Sequence, residues 1–172
     1  MSMPFLKAEA YAEKIGESLM PFCSDIQICG SIRRKKPEVG DIDLVVMLRS
    51  PADHRNLMLR CRESCSPVAE GPINLRYTTK LGIQLDVYIA TPRNEDMFRI
   101  TASNWGSLVL CRTGSVAHNV RMVEAAKSRG MVWKPYVGLL DAAGMVIASE
   151  TEEEIFRAMG MPYTDPAKRE AL

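Results

Sequence analysis

The chain has 172 residues, 47% of them hydrophobic and 25% charged, with a formal net charge of +1. A chain of this length and composition can bury one core or two smaller ones, as ordinary folded proteins do. It contains no apolar stretch long enough to span a bilayer, and the charges at Lys7, Glu9 and Glu13 exclude a secretory signal. We therefore expect a cytoplasmic protein that does not contact a membrane.

The charges are unevenly distributed along the chain. Residues 27–134 carry 17 Lys and Arg against 10 Asp and Glu, whereas the remaining residues carry 5 against 11. A basic middle permits binding to a phosphate backbone, although a net charge of +1 does not by itself indicate a nucleic-acid partner.

The cysteines are an odd and scattered set without a C-x-x-C pair. They are Cys23, Cys29, Cys61, Cys65 and Cys111. The two histidines, His54 and His118, are not spaced as zinc partners for them. Such a set is typical of reduced thiols in a cytosolic protein.

The chain begins with a predicted amphipathic helix. Apolar residues recur at three- and four-residue steps through the first twenty residues, and Pro21 with the segment 23–25 closes the helix. The elements predicted next are a short strand over 26–29, a tight turn at Gly30-Ser31, a basic loop over 33–36, a buried strand over 41–48 and a helix over 52–65.

Two further stretches predict a β-hairpin. Residues 73–79 and 83–89 are strand-like and are separated by the turn Lys80-Leu81-Gly82. Because successive side chains of a strand point to opposite faces, Asp86 lies opposite the apolar residues of its strand. A carboxylate at such a position usually has a partner or a metal.

The second half of the chain follows a candidate boundary between two lobes at Thr91-Pro92-Arg93. The predicted elements are helices over 95–100 and 105–110, a break at 112–115, a helix reaching Gly130, short strands over 137–140 and 145–148, and a last helix. Thr151, with Glu154 three residues later, predicts where this last helix begins.

Two carboxylates stand two residues apart at the start of the strand over 41–48. Asp41 and Asp43 point to the same face and could share a pair of hard cations. Asp86, on a separate strand, could supply a third ligand that reaches only one of the cations. Two such carboxylates alone also fit a solvated strand face, so the assignment depends on the residues around them.

The residues just before these carboxylates can bind phosphate. Gly30, Ser31, Arg33 and Arg34 offer backbone N–H, hydroxyl and guanidinium donors. Gly40 would let the chain approach a phosphate closely. A solvated basic loop, and simple backbone freedom at Gly40, are the alternatives. Together with the three carboxylates, these donors favour a nucleotidyltransferase.

Several motifs then point to one family. They are Gly30-Ser31-Ile32-Arg33-Arg34, Val39-Gly40-Asp41-Ile42-Asp43-Leu44, Leu85-Asp86-Val87, Arg112-Thr113-Gly114-Ser115 followed by His118-Asn119, Tyr136-Val137-Gly138-Leu139, Glu152-Glu153-Glu154-Ile155-Phe156 and Met161-Pro162-Tyr163. In these motifs the sequence resembles the family X DNA polymerases, of which polymerase beta is a member. The resemblance covers nearly the whole chain in the family's order and spacing.

The resemblance implies an α+β protein with two lobes. Residues 1–91 would form the nucleotidyltransferase palm, a mixed β-sheet with helices on one side, and residues 92–172 a small α/β thumb. Because the chain begins at the palm helix, it is similar to the minimal members of the family, which lack the lyase domain and the helix-hairpin-helix module.

The resemblance also implies the ligands and the residues that bind them. Residues matching Asp41, Asp43 and Asp86 are catalytic and hold two Mg²⁺ ions, for which Mn²⁺ can substitute. The positions that match nucleotide-binding residues are Gly30, Ser31, Arg34 and Gly40 for the triphosphate, the turn Thr113, Gly114 and Ser115 for the sugar, and Asn119 for the incoming base. The Gly–Ser peptide bond of that turn is often cis in relatives.

The implied function is that of a DNA-directed DNA polymerase. It would act as a monomer on gapped or primer-template DNA and add dNTPs to a primer 3′-OH by two-metal phosphoryl transfer, distributively, in gap filling or repair. One alternative is a template-independent nucleotidyltransferase acting on a nucleic-acid 3′ end or a small molecule. Another is a non-catalytic nucleic-acid-binding relative. The thumb motifs and the presence of all three acids favour the polymerase.

The sequence departs from the family near the nucleotide. Cys111-Arg112 stand where the family has an aromatic pair that helps to exclude ribonucleotides, so we expect rNTPs to be accepted more readily than in typical relatives. Val116 replaces a residue that is polar or charged in many relatives. His118 is expected to be a helix residue with a polar contact, since the metal-ion mechanism requires no imidazole.

Overall fold

The computed structural model describes residues 2–96 and 99–170. The chain separates into two compact units, one extending to Ile89 and the other beginning at Ala90. Each unit has a hydrophobic core of its own. All five cysteines lie in the described ranges and are free thiols, as predicted. No helix in these ranges is long and apolar enough to cross a membrane.

The first unit is built on a five-stranded sheet. Its strands are β2 (Cys23–Ile28), β4 (Asp41–Leu48), β5 (Cys65–Glu70), β6 (Asn74–Thr79) and β7 (Gln84–Ala90), and their order is β2-β4-β7-β6-β5. The unit also contains the helices α1 (Phe5–Leu19), α2 (Gly30–Arg33) and α3 (Asp53–Arg62) and the paired short strands β1 (Met3–Pro4) and β3 (Glu38–Val39). The predicted α+β class with a mixed sheet is confirmed.

The core of this unit lies on one face of the sheet. Helix α1 buries apolar residues that recur at helical spacing, and α3 contributes Leu57. The side chains of β4 and β7 that meet them are those of Ile42, Leu44, Val46, Leu85 and Val87. Because strand side chains alternate, Asp41, Asp43 and Asp86 belong to the opposite face of the sheet.

The second unit combines three helices with two small sheets. Its elements are β8 (Asn94–Asp96), β9 (Arg99–Thr101), α4 (Trp105–Thr113), α5 (Val116–Ser128), β10 (Val132–Lys134), β11 (Gly138–Leu140), β12 (Val146–Ala148) and α6 (Glu152–Ala158). Strands β10, β11 and β12 form one sheet in that order, and β8 pairs with β9. The Thr151 hydroxyl accepts a hydrogen bond from the Glu154 N–H at 3.2 Å, which confirms the predicted start of α6.

Three predictions for the first unit were wrong. The helix predicted over 52–65 ends at Arg62, and Cys65 begins the edge strand β5. That strand is largely exposed and contains a bulge between Pro67 and Ala69, so its sequence lacks the alternation that identifies a strand.

The other two wrong predictions concern the ends of α1 and β2. The segment 23–25, predicted to close α1, belongs to β2, because α1 ends in a single 3₁₀ turn at Met20–Phe22. Gly30-Ser31 was predicted as a tight turn followed by a loop, and instead these residues begin the helical turn α2.

In the second unit, the helix predicted over 95–100 is replaced by strands. Asn94–Asp96 and Arg99–Thr101 pair as antiparallel β8 and β9, and residues 97–98 of that prediction lie outside the described residues. Strand β10 was not predicted. Three residues are too few to show a period, and only Trp133 of this strand is buried.

Candidate active site

The sheet of the first unit places three predicted carboxylates on one face of two neighbouring strands. Asp41 and Asp43 stand at the start of β4, and both are half-buried. Asp86 stands in the middle of the adjacent strand β7 and is 5% exposed. The predicted arrangement of a carboxylate pair with a third acid on a separate strand is therefore present.

Asp86 is held by donors from its own strand and from the next one. Arg76 of β6 lies directly opposite Asp86 in the β6–β7 ladder, and its Nε and Nη2 donate to Oδ1 at 2.7 Å and to Oδ2 at 3.2 Å. Gln84 Nε2 donates to Oδ2 at 2.8 Å, and the Tyr88 hydroxyl approaches Oδ2 at 3.4 Å. The hydrogen bonds and charge of Asp86 raise the pKa of Arg76. The expected partner of Asp86 is thus an arginine.

Asp43 is held close to the start of α2. Gly30, the first residue of α2, has φ +58°, and a Cβ built on it would lie 2.1 Å from Asp43 Oδ2. The Cys29 N–H donates to the Asp43 main-chain oxygen at 2.8 Å and fixes the preceding residue against β4. Only glycine fits this position, because any side chain would overlap the carboxylate and the backbone is left-handed.

Ser31 follows Gly30 and is buried, at 9% exposed. Its Oγ has no hydrogen-bond partner among the described residues. A buried hydroxyl without a partner is uncommon in a folded protein, because it loses its bonds to water and gains none in return. Such an atom next to a carboxylate site is suited to a ligand that accepts a hydrogen bond, as phosphate oxygens do.

Arg34 and Gly40 lie in the segment that joins α2 to β4. Arg34 is half-buried and ends α2, with its N–H donating to the Gly30 oxygen at 3.2 Å. Gly40 is exposed, and within the described part of the chain a Cβ at this position would meet no atom within 4 Å. No contact inside the protein therefore requires glycine here, which leaves open the predicted approach of a phosphate.

These oxygen ligands suit Mg²⁺ in type and in position. Mg²⁺ is bound through carboxylates together with substrate phosphates, and Asp41 and Asp43 share one face. Over residues 2–96 and 99–170, however, no three Asp, Glu, His or Cys side chains are grouped tightly enough to hold a metal ion. The carboxylate of Asp86 is bonded to Arg76. The residues fit the ions in chemistry and in strand placement, and the three side chains are not gathered into one cluster.

The second unit contains the predicted Thr-Gly-Ser turn. Thr113 ends α4 and is fully buried, Gly114 has φ +68°, and the Gly114–Ser115 peptide bond is cis, as the resemblance implied. Ser115 begins α5, where its Oγ accepts from the His118 N–H at 3.3 Å and donates to the main-chain oxygen of Arg169 at 3.0 Å. The turn is thereby bonded to the last part of the described chain.

The residues that replace the family's aromatic pair are tied to neighbours in this unit. The main-chain oxygen of Cys111 accepts from Asn119 Nδ2 at 2.8 Å. Arg112 Nη2 donates to the Tyr136 hydroxyl at 2.7 Å, and its guanidinium lies 5.4 Å from the centre of that ring. Asn119 Oδ1 is buried and has no partner in the described ranges. Asn119 can thus be held by Cys111 and still offer an acceptor.

His118 lies in α5, as predicted, and is 2% exposed. Neither ring nitrogen makes a well-formed hydrogen bond among the residues that the structure describes, and the Asn119 side chain is its polar neighbour. Burial, with the charges of Arg169 and Arg121 adding to it, lowers the pKa of His118 to about 4. The ring packs 5.8 Å from that of Phe156. It is therefore a neutral core residue near pH 7.

Two arginines that matter here were not singled out from the sequence. Arg76 could have been found, since counting back from the predicted turn at 80–82 pairs residue 76 with residue 86. Arg169 could not. It is fully buried, pairs with Glu152 at 2.8 Å and lies 5.6 Å from the ring centres of both Phe156 and Tyr163. Nothing local in its sequence indicates that burial.

Comparisons with known proteins agree with this geometry. The family model described as DNA polymerase beta thumb matches residues 108–170. The DNA polymerase/3′-5′ exonuclease PolX of Bacillus subtilis is 28% identical over 162 residues, which are 93% of this chain and 27% of PolX. DNA polymerase lambda of Rattus norvegicus is 26% identical over 160 residues, which are 83% of this chain and 28% of that protein. The chain thus spans little more than a quarter of the length of these relatives.

A solved structure supports the fold. The crystal structure of Leishmania infantum polymerase beta in a ternary P/T complex matches with a TM-score of 0.79 at 20% identity, covering 98% of this chain and 77% of that one. Over residues 108–170 the chain thus matches the thumb of DNA polymerase beta, and over most of its length it is similar in sequence to two DNA polymerases and in fold to a third.

Proposed function

We propose that the protein is a DNA-directed DNA polymerase that adds nucleotides to a primer 3′-OH in gap filling or repair. The observation that carries this proposal is the arrangement of Asp41, Asp43 and Asp86 on one face of two neighbouring strands, with Gly30 against Asp43 and the buried, unpartnered Ser31 hydroxyl on the residue that follows Gly30. Carboxylates next to phosphate donors are what nucleotidyl transfer from a triphosphate needs.

The residues of the first unit divide the chemistry between them. Two Mg²⁺ ions, with Mn²⁺ able to substitute, would be held by Asp41, Asp43 and Asp86 and would neutralise the charge that develops on the phosphates. Ser31 Oγ and the N–H groups beside it donate to the triphosphate, and the Arg34 guanidinium offsets its charge. Asp86 is assigned to the primer hydroxyl. With the help of Asp86 the hydroxyl loses its proton to solvent, and its oxygen bonds to the α-phosphorus while the bond to the leaving pyrophosphate breaks.

The second unit contains residues of its own that are assigned to nucleotide binding. The turn Thr113-Gly114-Ser115, which is bonded to Arg169, is assigned to the sugar, and the acceptor Oδ1 of Asn119 is assigned to the base. The basic middle of the chain, residues 27–134, contacts the phosphate backbone of the DNA. Because this contact is electrostatic, binding is weak and falls steeply with salt, and synthesis by the monomer is distributive.

Primer extension on matched substrates tests the proposal. The protein is offered one-nucleotide gapped, recessed and single-stranded DNA with each dNTP in turn, in Mg²⁺ and in Mn²⁺. We expect insertion on gapped and recessed DNA of the nucleotide complementary to the template base. Asp41→Asn should abolish it, whereas Asp53→Asn, a matched change at the start of α3, should leave it unchanged.

Two outcomes would contradict the proposal. Addition to single-stranded DNA without regard to a template base would favour the template-independent transferase. Binding of DNA without incorporation in either metal would favour a non-catalytic relative. An affinity for DNA that barely changes between low and physiological salt would argue against the basic middle as the contact.

A further inference from the structure

Arg76 has no part in the reaction described above, yet it pairs with Asp86, one of the proposed metal ligands. The two residues face each other across the β6–β7 ladder, and the guanidinium donates to both carboxylate oxygens. The side chain of Asp86 is 7% exposed and that of Arg76 is 49% exposed. The carboxylate is therefore fixed inside the sheet, while the guanidinium approaches it from the solvent side.

The two oxygens of Asp86 are not equally occupied. Oδ2 receives donors from Arg76, Gln84 and Tyr88, whereas Oδ1 receives Arg76 Nε alone in the described contacts. A carboxylate oxygen has about two lone pairs available to donors or cations. A cation at Asp86 is therefore expected to bind Oδ1, where Arg76 Nε already sits at 2.7 Å.

We propose that Arg76 is the counter-cation of Asp86 when no divalent ion is bound, and that it competes with the primer-side ion for this carboxylate. The inference rests on the proposed function in taking Asp86 as a metal ligand. Without a positive partner, a carboxylate this buried would be costly to keep ionised. Arg76 meets that need, and its positive charge beside Oδ1 opposes the arrival of a second cation.

The competition makes Arg76 a positioning residue that sets metal affinity. Arg76→Met removes the charge and the fork while keeping much of the apolar length of the side chain. The ion then no longer has to displace a guanidinium or sit beside one. We expect Mn²⁺ to bind this variant roughly threefold to tenfold more tightly than the wild type, the size of one partly screened charge interaction.

A titration with Mn²⁺ alone, counting free Mn²⁺ by electron paramagnetic resonance, measures this without any turnover. The matched control is Arg62→Met, because Arg62 is a similarly exposed arginine of the same unit that pairs with Glu70 instead. Its affinity should stay within about twofold of the wild type. In an Asp86→Asn background, Arg76→Met should lose its effect, because the competition acts through Asp86.

Thermal unfolding supplies the second measurement. Without metal, Arg76→Met should melt at a lower temperature than the wild type, since Asp86 is left without a counter-charge. Saturating Mn²⁺ should raise the melting temperature of this variant more than that of the wild type. If Arg76→Met does not fold, Arg76→Lys decides the matter. It keeps the charge without the fork, and we expect Mn²⁺ to bind it about twofold more tightly.

The outcomes separate this inference from the function it rests on. Saturable Mn²⁺ binding that is unchanged or weakened in both Arg76 variants would overturn the role of Arg76 and leave the metal site standing. A wild type that shows no saturable Mn²⁺ binding would overturn this inference and leave the proposed function standing, because that function holds the ions together with substrate phosphates. Polymerase activity need not be measured for either conclusion.

Discussion

The two units hold their predicted site residues with different kinds of bonds. In the first unit the Ser31 hydroxyl is buried and has no partner in the described ranges, and Asp86 is bonded to a half-exposed guanidinium. In the second, Ser115 is bonded to the main chain of Arg169, which is fully buried against Glu152. The groups of the first unit, a hydroxyl without a partner in the described ranges and a carboxylate paired with a half-exposed guanidinium, can bind a ligand. The bonds of the second unit keep a turn in one shape whether or not a ligand is bound.

The largest expected effect comes from replacing Asp86, the acid of the Arg76–Asp86 pair. Asp86→Ala should lower kcat for primer extension on the order of a thousandfold or more, because a ligand of the primer-side cation is lost. The free energy of unfolding should change by less than about 1 kcal/mol, since the Arg76 left behind is half-exposed. Single-nucleotide extension and urea denaturation measure the two quantities.

Asp53→Ala, at the start of α3, is the matched control and should keep wild-type activity. An Asp86→Ala protein that extends primers at a rate within a few-fold of the wild type would contradict the proposal that Asp86 is a ligand of the primer-side cation. The first unit could then no longer be described as holding its site residues with bonds that a ligand can replace.

The fixed pair of the second unit should respond in the opposite way. Arg169→Met should lower the free energy of unfolding by about 3–5 kcal/mol, because the buried carboxylate of Glu152 loses the cation that balances its charge. Urea denaturation measures the loss. Lys168→Met, one residue earlier and exposed, should stay within about 0.5 kcal/mol of the wild type. Equal effects of the two changes would show that Arg169 is not the anchor.

The neutral state of His118 makes the free energy of unfolding depend on pH, which gives a further test of the comparison between the two units. The pKa of this residue is about 4 in the folded protein and 6.5 in its ordinary state. Between these values the unfolded chain binds a proton that the folded one does not. The stability contributed by the neutral ring is thus complete above about pH 6.5 and is lost as the pH falls towards 4, by at most about 1.4 kcal/mol per pH unit.

Urea denaturation at a series of pH values between 7.5 and 4.5 measures this loss. His118→Leu should lack this part of the pH dependence, so its stability relative to the wild type should rise as the pH falls. Parallel profiles for the two proteins would indicate that the pKa of His118 is the same in the folded and unfolded states.

The smallest effect concerns the side chain of Cys111, next to the fixed turn. The wild type should prefer dNTP over rNTP only weakly, and Cys111→Tyr should raise that preference about tenfold by restoring a bulky residue. The ratio of kcat/KM values for the two nucleotides measures it. Cys111→Ser, which keeps the size of the side chain, is the control and should not change the ratio. A strong deoxy preference in the wild type would contradict the expectation.

Much of the first unit could be predicted from the sequence because its signals are local. The strand Asp41–Leu48 was predicted to the residue, since apolar residues run along it between a glycine and Arg49. The hairpin of β6 and β7 was predicted from its turn, and the same count would have given the Arg76–Asp86 pairing. The periodicity of apolar residues and the residue types that form turns depend on neighbouring residues, so they can be recognised directly in the sequence.

The features that were missed depend on residues far apart in the chain. Arg169 is buried because Glu152, 17 residues earlier, neutralises it, and Ser115, 54 residues earlier, bonds to its main chain. His118 is neutral because the same region packs around it. The β8–β9 pair, predicted as helix, is short, and tertiary contacts decide the structure of such segments.

The contact between Gly30 and Asp43 suggests how a catalytically inactive variant of this protein could be made. A single methyl group at residue 30 would occupy the space of a carboxylate oxygen, since a Cβ there would lie 2.1 Å from Oδ2. Gly30→Ala would therefore displace Asp43 while leaving every ionisable group of the protein in place. An inactive protein of unchanged charge would allow the binding of DNA to be studied apart from its extension, which replacing the aspartates by Asn or Ala cannot offer.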